Sequence, residues 1–117
     1  MERNALSVRT QSLLWVAQRA SAALLALCVV VHLATMVYAV RGGLSAAEIL
    51  ARTRGSHAWL AFYSLFVLAI VVHVPIGLRA VLEEWVKWRG ASRDIALLGF
   101  AAVIAWAGMR AVLGVFL

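Results

Sequence analysis

Three long apolar runs, residues 20–40, 58–78 and 95–117, constrain this chain more than any other feature. About 20 apolar residues suffice to carry a helix across the hydrocarbon of a bilayer, and each run meets that length. Strict alternation is absent, and one short chain cannot close a barrel. Helices are then the way to satisfy the backbone in lipid. Composition agrees: 65% of residues are hydrophobic, where soluble domains hold about 45–50%. The reading is an all-α membrane protein with three transmembrane helices, at about 12–40, 57–88 and 93–116. They form a single anchor domain over residues 1–117 in up-down-up order. The first run exceeds the 7–15 apolar residues of a signal peptide, and Arg41-Gly42-Gly43 lacks a small-residue cleavage pattern. It is read as a retained helix.

The net charge of +6 does not point to nucleic acid, because the basic residues gather at helix ends. Arg3, Arg9, Arg19, Arg79, Lys87, Arg89 and Arg93 fall on one side; Arg41, Arg52, Arg54 and Arg110 fall on the other. The imbalance predicts a cytoplasmic N-terminus. Trp15, Trp85 and Trp88 would mark one interface, and Tyr38, Trp59 and Trp106 the other.

Within the first loop, Ser45-Ala46-Ala47-Glu48 has the form of a capping box opening a short helix. Gly90-Ala91-Ser92 makes a tight connection, with Ser92 or Asp94 expected to cap the last helix. Cys28 is single and is read as a packing residue. Ala22, Ala26, Gly99, Ala102 and Gly108 stand at spacings that let helix backbones approach closely. Such faces predict packing against another membrane chain or a second copy.

Ionisable groups at membrane depth are costly and point to function. His73 sits mid-run in Val71-Val72-His73-Val74-Pro75-Ile76-Gly77-Leu78-Arg79. Gly77 is one turn away on the same face and would leave room for a flat porphyrin. Pro75 should bend the helix near Val71, and Arg79 is a nearby cation. His73 is read either as an axial haem ligand or as a histidine hydrogen-bonded to a neighbouring helix. His32 has the same two readings. At about 1.5 Å per residue, His32 lies roughly 20 Å from Arg19, and His73 about 9 Å from Arg79. The two imidazoles therefore occupy different levels, and each would need a second axial ligand from another chain. Gln18, Arg19 and Ser21 cluster at the end of the first helix, where they would bind a quinone carbonyl or a haem propionate, or else Arg19 simply snorkels. Glu83 and Glu84 are expected at the cytoplasmic surface, contacting a soluble partner or pairing with Arg79 or Lys87. His57 is expected to be solvated, and Arg110 to snorkel outward or meet a haem propionate. The chain has no CxxCH motif, phosphate loop or cysteine cluster, so demanding chemistry belongs to a cofactor or another subunit.

Two segments together resemble the cytochrome b membrane anchors of succinate dehydrogenase and fumarate reductase. Gln18-Arg19-Ala20-Ser21-Ala22 followed by Val31-His32-Leu33 is similar to that family's first-helix pattern. His73 to Arg79 is similar to its H-x-x-x-G-[IL]-R on the second helix, with Glu84 at the place of a following acidic residue. Gln18, Ala22 and Trp15 depart from the family's usual histidine, glycine and serine. The resemblance implies haem b, one or two, shared with a partner chain. His73 would be the axial ligand nearer the cytoplasm and His32 the ligand of an outer haem in two-haem members. Arg19 and Ser21 would lie near the quinone pocket. It further implies a second anchor subunit, an iron–sulfur subunit and a flavoprotein subunit in the bacterial cytoplasmic membrane. The competing reading is a non-redox packing subunit or a small transporter with structural histidines. A transporter would need an acidic residue at mid-membrane, and none is present.

Overall fold

The computed structural model describes residues 7–117, and within them the chain is helical with no strands. Helix α1 spans Val8–Arg41, a short α2 spans Ala46–Thr53, α3 spans His57–Val81 and α4 spans Ala91–Phe116. Three of these helical stretches, Val8–Arg41, His57–Val86 and Ala91–Phe116, are long and apolar enough to cross a membrane.

The ends of the helices follow local chemistry. The Ser7 hydroxyl accepts from the Thr10 backbone N–H at 3.2 Å and starts α1, ahead of the expected residue 12. Ser45 and Glu48 form the expected capping box: the Ser45 hydroxyl accepts from the Glu48 N–H, and the Glu48 carboxylate accepts from the Ser45 N–H at 2.7 Å. Helix α3 continues through Pro75 and changes form later, in a π-helical turn at Leu82–Val86 that ends at Lys87 with φ +62°. Gly90 then takes φ +98°, which glycine adopts without strain.

The cap expected for α4 is not formed. Gly90 is the N-cap and no side chain completes it. Ser92 instead accepts from the Trp88 indole at 2.9 Å, and Asp94 is taken by arginines.

Helix α3 is central, packing on α1 and on α4, while α2 lies against α4. Small residues make these seams. Cys28 and Ala69 are both 2% exposed. A Cβ added at Gly108 would come within 2.7 Å of Val67. Ala26, Gly99 and Ala102, expected on packing faces, are exposed within this chain. Little of the apolar surface is covered internally: 6% of the most apolar window of each of the first two spans is buried, and 11% of the third. Lipid or other chains must cover the rest.

Candidate functional site

One antiparallel register organises the α1–α3 seam. Gly77 lies beside Gln18 and Tyr63 beside His32, fourteen residues apart on each helix. His73 then falls opposite Ala22, one turn from Gln18. It stands ten residues past Tyr63, roughly 15 Å along the axis. The two histidines occupy different levels, as the depth arithmetic anticipated.

At the His73 end, the Nδ1 atom of His73 and the Oε1 atom of Gln18 are buried without a hydrogen-bond partner among the described residues. An orphaned buried acceptor or donor costs about 1–3 kcal/mol. Two such atoms along one seam mark a place that the chain does not complete by itself. The slot beside Gly77 is filled from within: a Cβ there would meet the Gln18 side-chain nitrogen at 3.0 Å. Gly77 thus admits the tip of Gln18, a flexible side chain that can rotate out of the slot.

Next to this seam an open cleft of about 430 Å3 gathers Gln18, Gly77 and Arg79 with Trp15, Glu84 and Arg89. Arg79 lines it and stands 3.9 Å from Asp94. Asp94 binds Arg93 at 2.8 Å, Arg93 reaches Glu83 at 3.2 Å, and Glu83 lies 3.8 Å from Arg89. Arg93 is 4% exposed, so this chain of charges has a buried centre held by carboxylates on both sides. Glu83 pairs with Arg89 and Arg93 rather than with the expected Arg79 or Lys87.

Arg19 and Ser21 are not part of that cleft's lining. The Arg19 guanidinium stacks over Trp15, 5.1 Å from the ring centroid. Ser21 is buried and its hydroxyl donates to the Gln18 backbone carbonyl at 3.1 Å.

The His32 end is furnished differently. His32 Nδ1 shares a hydrogen bond of 3.3 Å with the Tyr63 hydroxyl, and the rings of Tyr63 and Phe66 meet the imidazole edge-on at 5.8 Å. Tyr63 and Phe66 were not singled out from sequence. Their signal was an aromatic ladder, Trp59, Phe62, Tyr63 and Phe66, whose rings contact one another along α3. His57 rests its ring against Phe116, and Arg110 lies over Trp106. No group of three or more His, Cys, Asp or Glu side chains is placed to hold a metal ion among the described residues.

No characterised protein and no solved structure matches the chain. Residues 2–109 match the family described as Succinate dehydrogenase/Fumarate reductase transmembrane subunit. That match spans nearly the whole chain, and the three apolar helices suit an integral membrane subunit. The chain belongs to the family of succinate dehydrogenase/fumarate reductase transmembrane subunits.

Proposed function

We propose that this subunit holds haem b through His73 and carries electrons between an iron–sulfur subunit and membrane quinone. A second anchor chain would complete the haem site, a flavoprotein subunit would complete the complex, and the membrane would be the bacterial cytoplasmic one. The carrying observation is the buried His73 Nδ1 with no partner in its own chain. A ligating imidazole needs one ring nitrogen for iron and a partner for the other, and this chain leaves such a nitrogen unmet. Haem held there would supply one-electron transfer.

The chain's own residues prepare the surroundings. Arg79, whose planar guanidinium suits a carboxylate or a carbonyl oxygen, is held in the cleft with Asp94 beside it. The Gln18 amide lies in the same cleft and has an unpaired oxygen to reorient. Arg19 and Ser21 support this site indirectly. Arg19 places a cation at the rim over Trp15, and Ser21 fixes the helix beneath Gln18.

His32 is proposed as structural, because its own chain already packs its ring, with the Tyr63 hydroxyl on Nδ1 and the Tyr63 and Phe66 rings edge-on. The competing reading makes it the ligand of a second haem, with Tyr63 orienting the ring. The test is the optical spectrum and haem content of the complex purified with its partner subunits. His73→Ala is expected to remove the haem absorbance while the subunits still co-purify. An unchanged spectrum and haem content in that variant overturns the assignment. Absence of a Soret band in the unaltered complex would favour the non-redox packing reading. His32→Ala should leave haem content whole, and a loss of half would establish a second haem.

A further inference from the structure

At the end of the molecule that carries α2, two apolar hollows adjoin. One, of about 280 Å3, has Tyr38, Arg52 and Trp59 in its wall. The other, of about 390 Å3, reaches down to His32, Phe66 and Val67. Met36, Ile49, Thr53 and Tyr63 line both, so they form one groove running from the end of the bundle toward its middle. Its lower part is almost entirely apolar, and its upper part holds a guanidinium. Arg52 is fixed there by stacking over Tyr38, 5.7 Å from the ring centroid.

Charge at this end is lopsided. Arg41, Arg52, Arg54 and Arg110 face a single acidic side chain among the described residues, Glu48. That carboxylate is already bound to the Ser45 backbone N–H at 2.7 Å. None of the four arginines has a carboxylate within 4 Å among the described residues, whereas Arg79, Arg89 and Arg93 at the other end all do. Glu48 attracts Arg52 without an ion-pair contact, and four arginines against that one acidic side chain leave an excess of positive charge beside an apolar groove, which matches a molecule with an anionic head and a hydrocarbon tail.

The roof of the groove selects among such molecules. Helix α2 lies across it, contributing Ile49 and Thr53 to both hollows. It is tied down by the Thr53 hydroxyl donating to the Val115 carbonyl at 2.7 Å and by the Gly55 N–H donating to Phe116 at 2.9 Å. A transmembrane helix is about 10 Å across and meets α2 at the top of the groove. A flexible acyl chain can bend beneath it.

We infer that this groove is a binding site for an anionic phospholipid, with the phosphate on Arg52 and one acyl chain descending past Ile49 and Tyr63 toward Phe66. The site is independent of haem held at His73, and a haem on His32 would compete for its lower end.

Trp59 lines the groove and stacks on Tyr63 at 5.7 Å, which makes it a reporter. The intact complex is reconstituted into phosphatidylcholine vesicles containing dibrominated phosphatidylglycerol or, in parallel, dibrominated phosphatidylcholine. The Trp59 signal is the difference between the unaltered complex and Trp59→Phe. One basic side chain near the surface is worth about a fivefold preference for an anionic lipid. Phosphatidylglycerol should therefore quench Trp59 at about one-fifth the concentration that phosphatidylcholine requires. Arg52→Gln should remove that difference, and Arg52→Lys should keep most of it, which separates charge from damage to the fold. Equal quenching by both lipids would reduce the groove to ordinary bilayer contact and overturn the proposal. So would a groove that neither lipid quenches, as when quinone or a protein segment fills it, or a preference that survives Arg52→Gln.

Discussion

The two ends of the α1–α3 seam each place a histidine at membrane depth, and the chain treats them oppositely. His32 is met by a tyrosine hydroxyl and two aromatic edges. The Nδ1 atom of His73 is buried and unpaired within the described residues, one turn from a glutamine whose oxygen is also unpaired. Burying an imidazole nitrogen without a hydrogen bond is costly, and an apolar residue at 73 would avoid that cost. The difference separates a histidine finished by its own fold from one waiting on something outside the chain. It also explains why polar side chains crowd the His73 end, while the His32 end opens into an apolar groove.

The comparison breaks first on haem content. His73→Ala should lose essentially all of it and His32→Ala essentially none, read from the absorbance of the purified complex. Equal losses would make the two ends equivalent and remove the distinction drawn from their hydrogen bonding.

Packing at the His32 end comes next. Gly108 backs onto Val67, and an added Cβ would lie 2.7 Å from a Val67 methyl. Valine is stiff about χ1, so it cannot swing clear without cost. Gly108→Ala should destabilise the α3–α4 seam by about 1–3 kcal/mol, seen as a lower Tm of the detergent-solubilised complex. Gly99→Ala, at a position where an added Cβ meets nothing within this chain, is the control and should leave this chain's own helix seams intact.

At the opposite end, Arg93→Met keeps most of the side-chain volume and deletes the buried charge between Glu83 and Asp94. Both carboxylates are partly exposed and can turn to water, so the loss should be about 1–2 kcal/mol rather than the larger figure for a wholly buried pair. The same variant frees Asp94 to approach Arg79 more closely. Quinone-dependent turnover should therefore change along with Tm, which Gly108→Ala at the far end should not reproduce in proportion. Tyr63→Phe is smaller still. It removes one neutral hydrogen bond of 3.3 Å, about 1 kcal/mol or less, and should leave the haem spectrum unaltered.

What was legible in the sequence follows from how local each feature is. The three spans, the up-down-up order and the capping box at Ser45 and Glu48 depend on runs or on residues three apart, and all appear, with α1 and α4 starting four and two residues earlier than read. Cys28 as a packing residue was legible because a lone cysteine in an apolar helix has little else to do. The partners across helices were not. Tyr63 meets His32 only through the interhelical register, which periodicity along one helix does not encode. The link from Glu83 to Arg93 depends on the π-helical turn at Leu82–Val86 and the left-handed Lys87, neither of which has a compositional signature here. Gly77 was read as clearance for a porphyrin; the structure places the Gln18 side chain in that space. Spacing on α3 identified the clearance but not its occupant, because Gln18 belongs to another helix.

The finest contrast lies in pH. Glu48 closes the capping box of α2, and accepting hydrogen bonds from Ser45, first from its backbone, holds the carboxyl below the usual glutamate range. A carboxyl lowered in the folded state contributes stability that is fully present above the unfolded glutamate value, about 4.3, and is lost as pH falls through the lower folded value. Helix α2 should therefore loosen only in acid below that range, with the lipid groove beneath it, while the helices around His73 stay closed. Hydrogen exchange of the α2 amides between neutral pH and acid, corrected for intrinsic rates, measures this. Glu48→Gln retains an acceptor for the Ser45 N–H without a titrating charge. Its α2 should be slightly less protected at neutral pH and should show a flatter response to acid. An α2 that opens in acid equally in both proteins would place the acid sensitivity elsewhere than in the capping box.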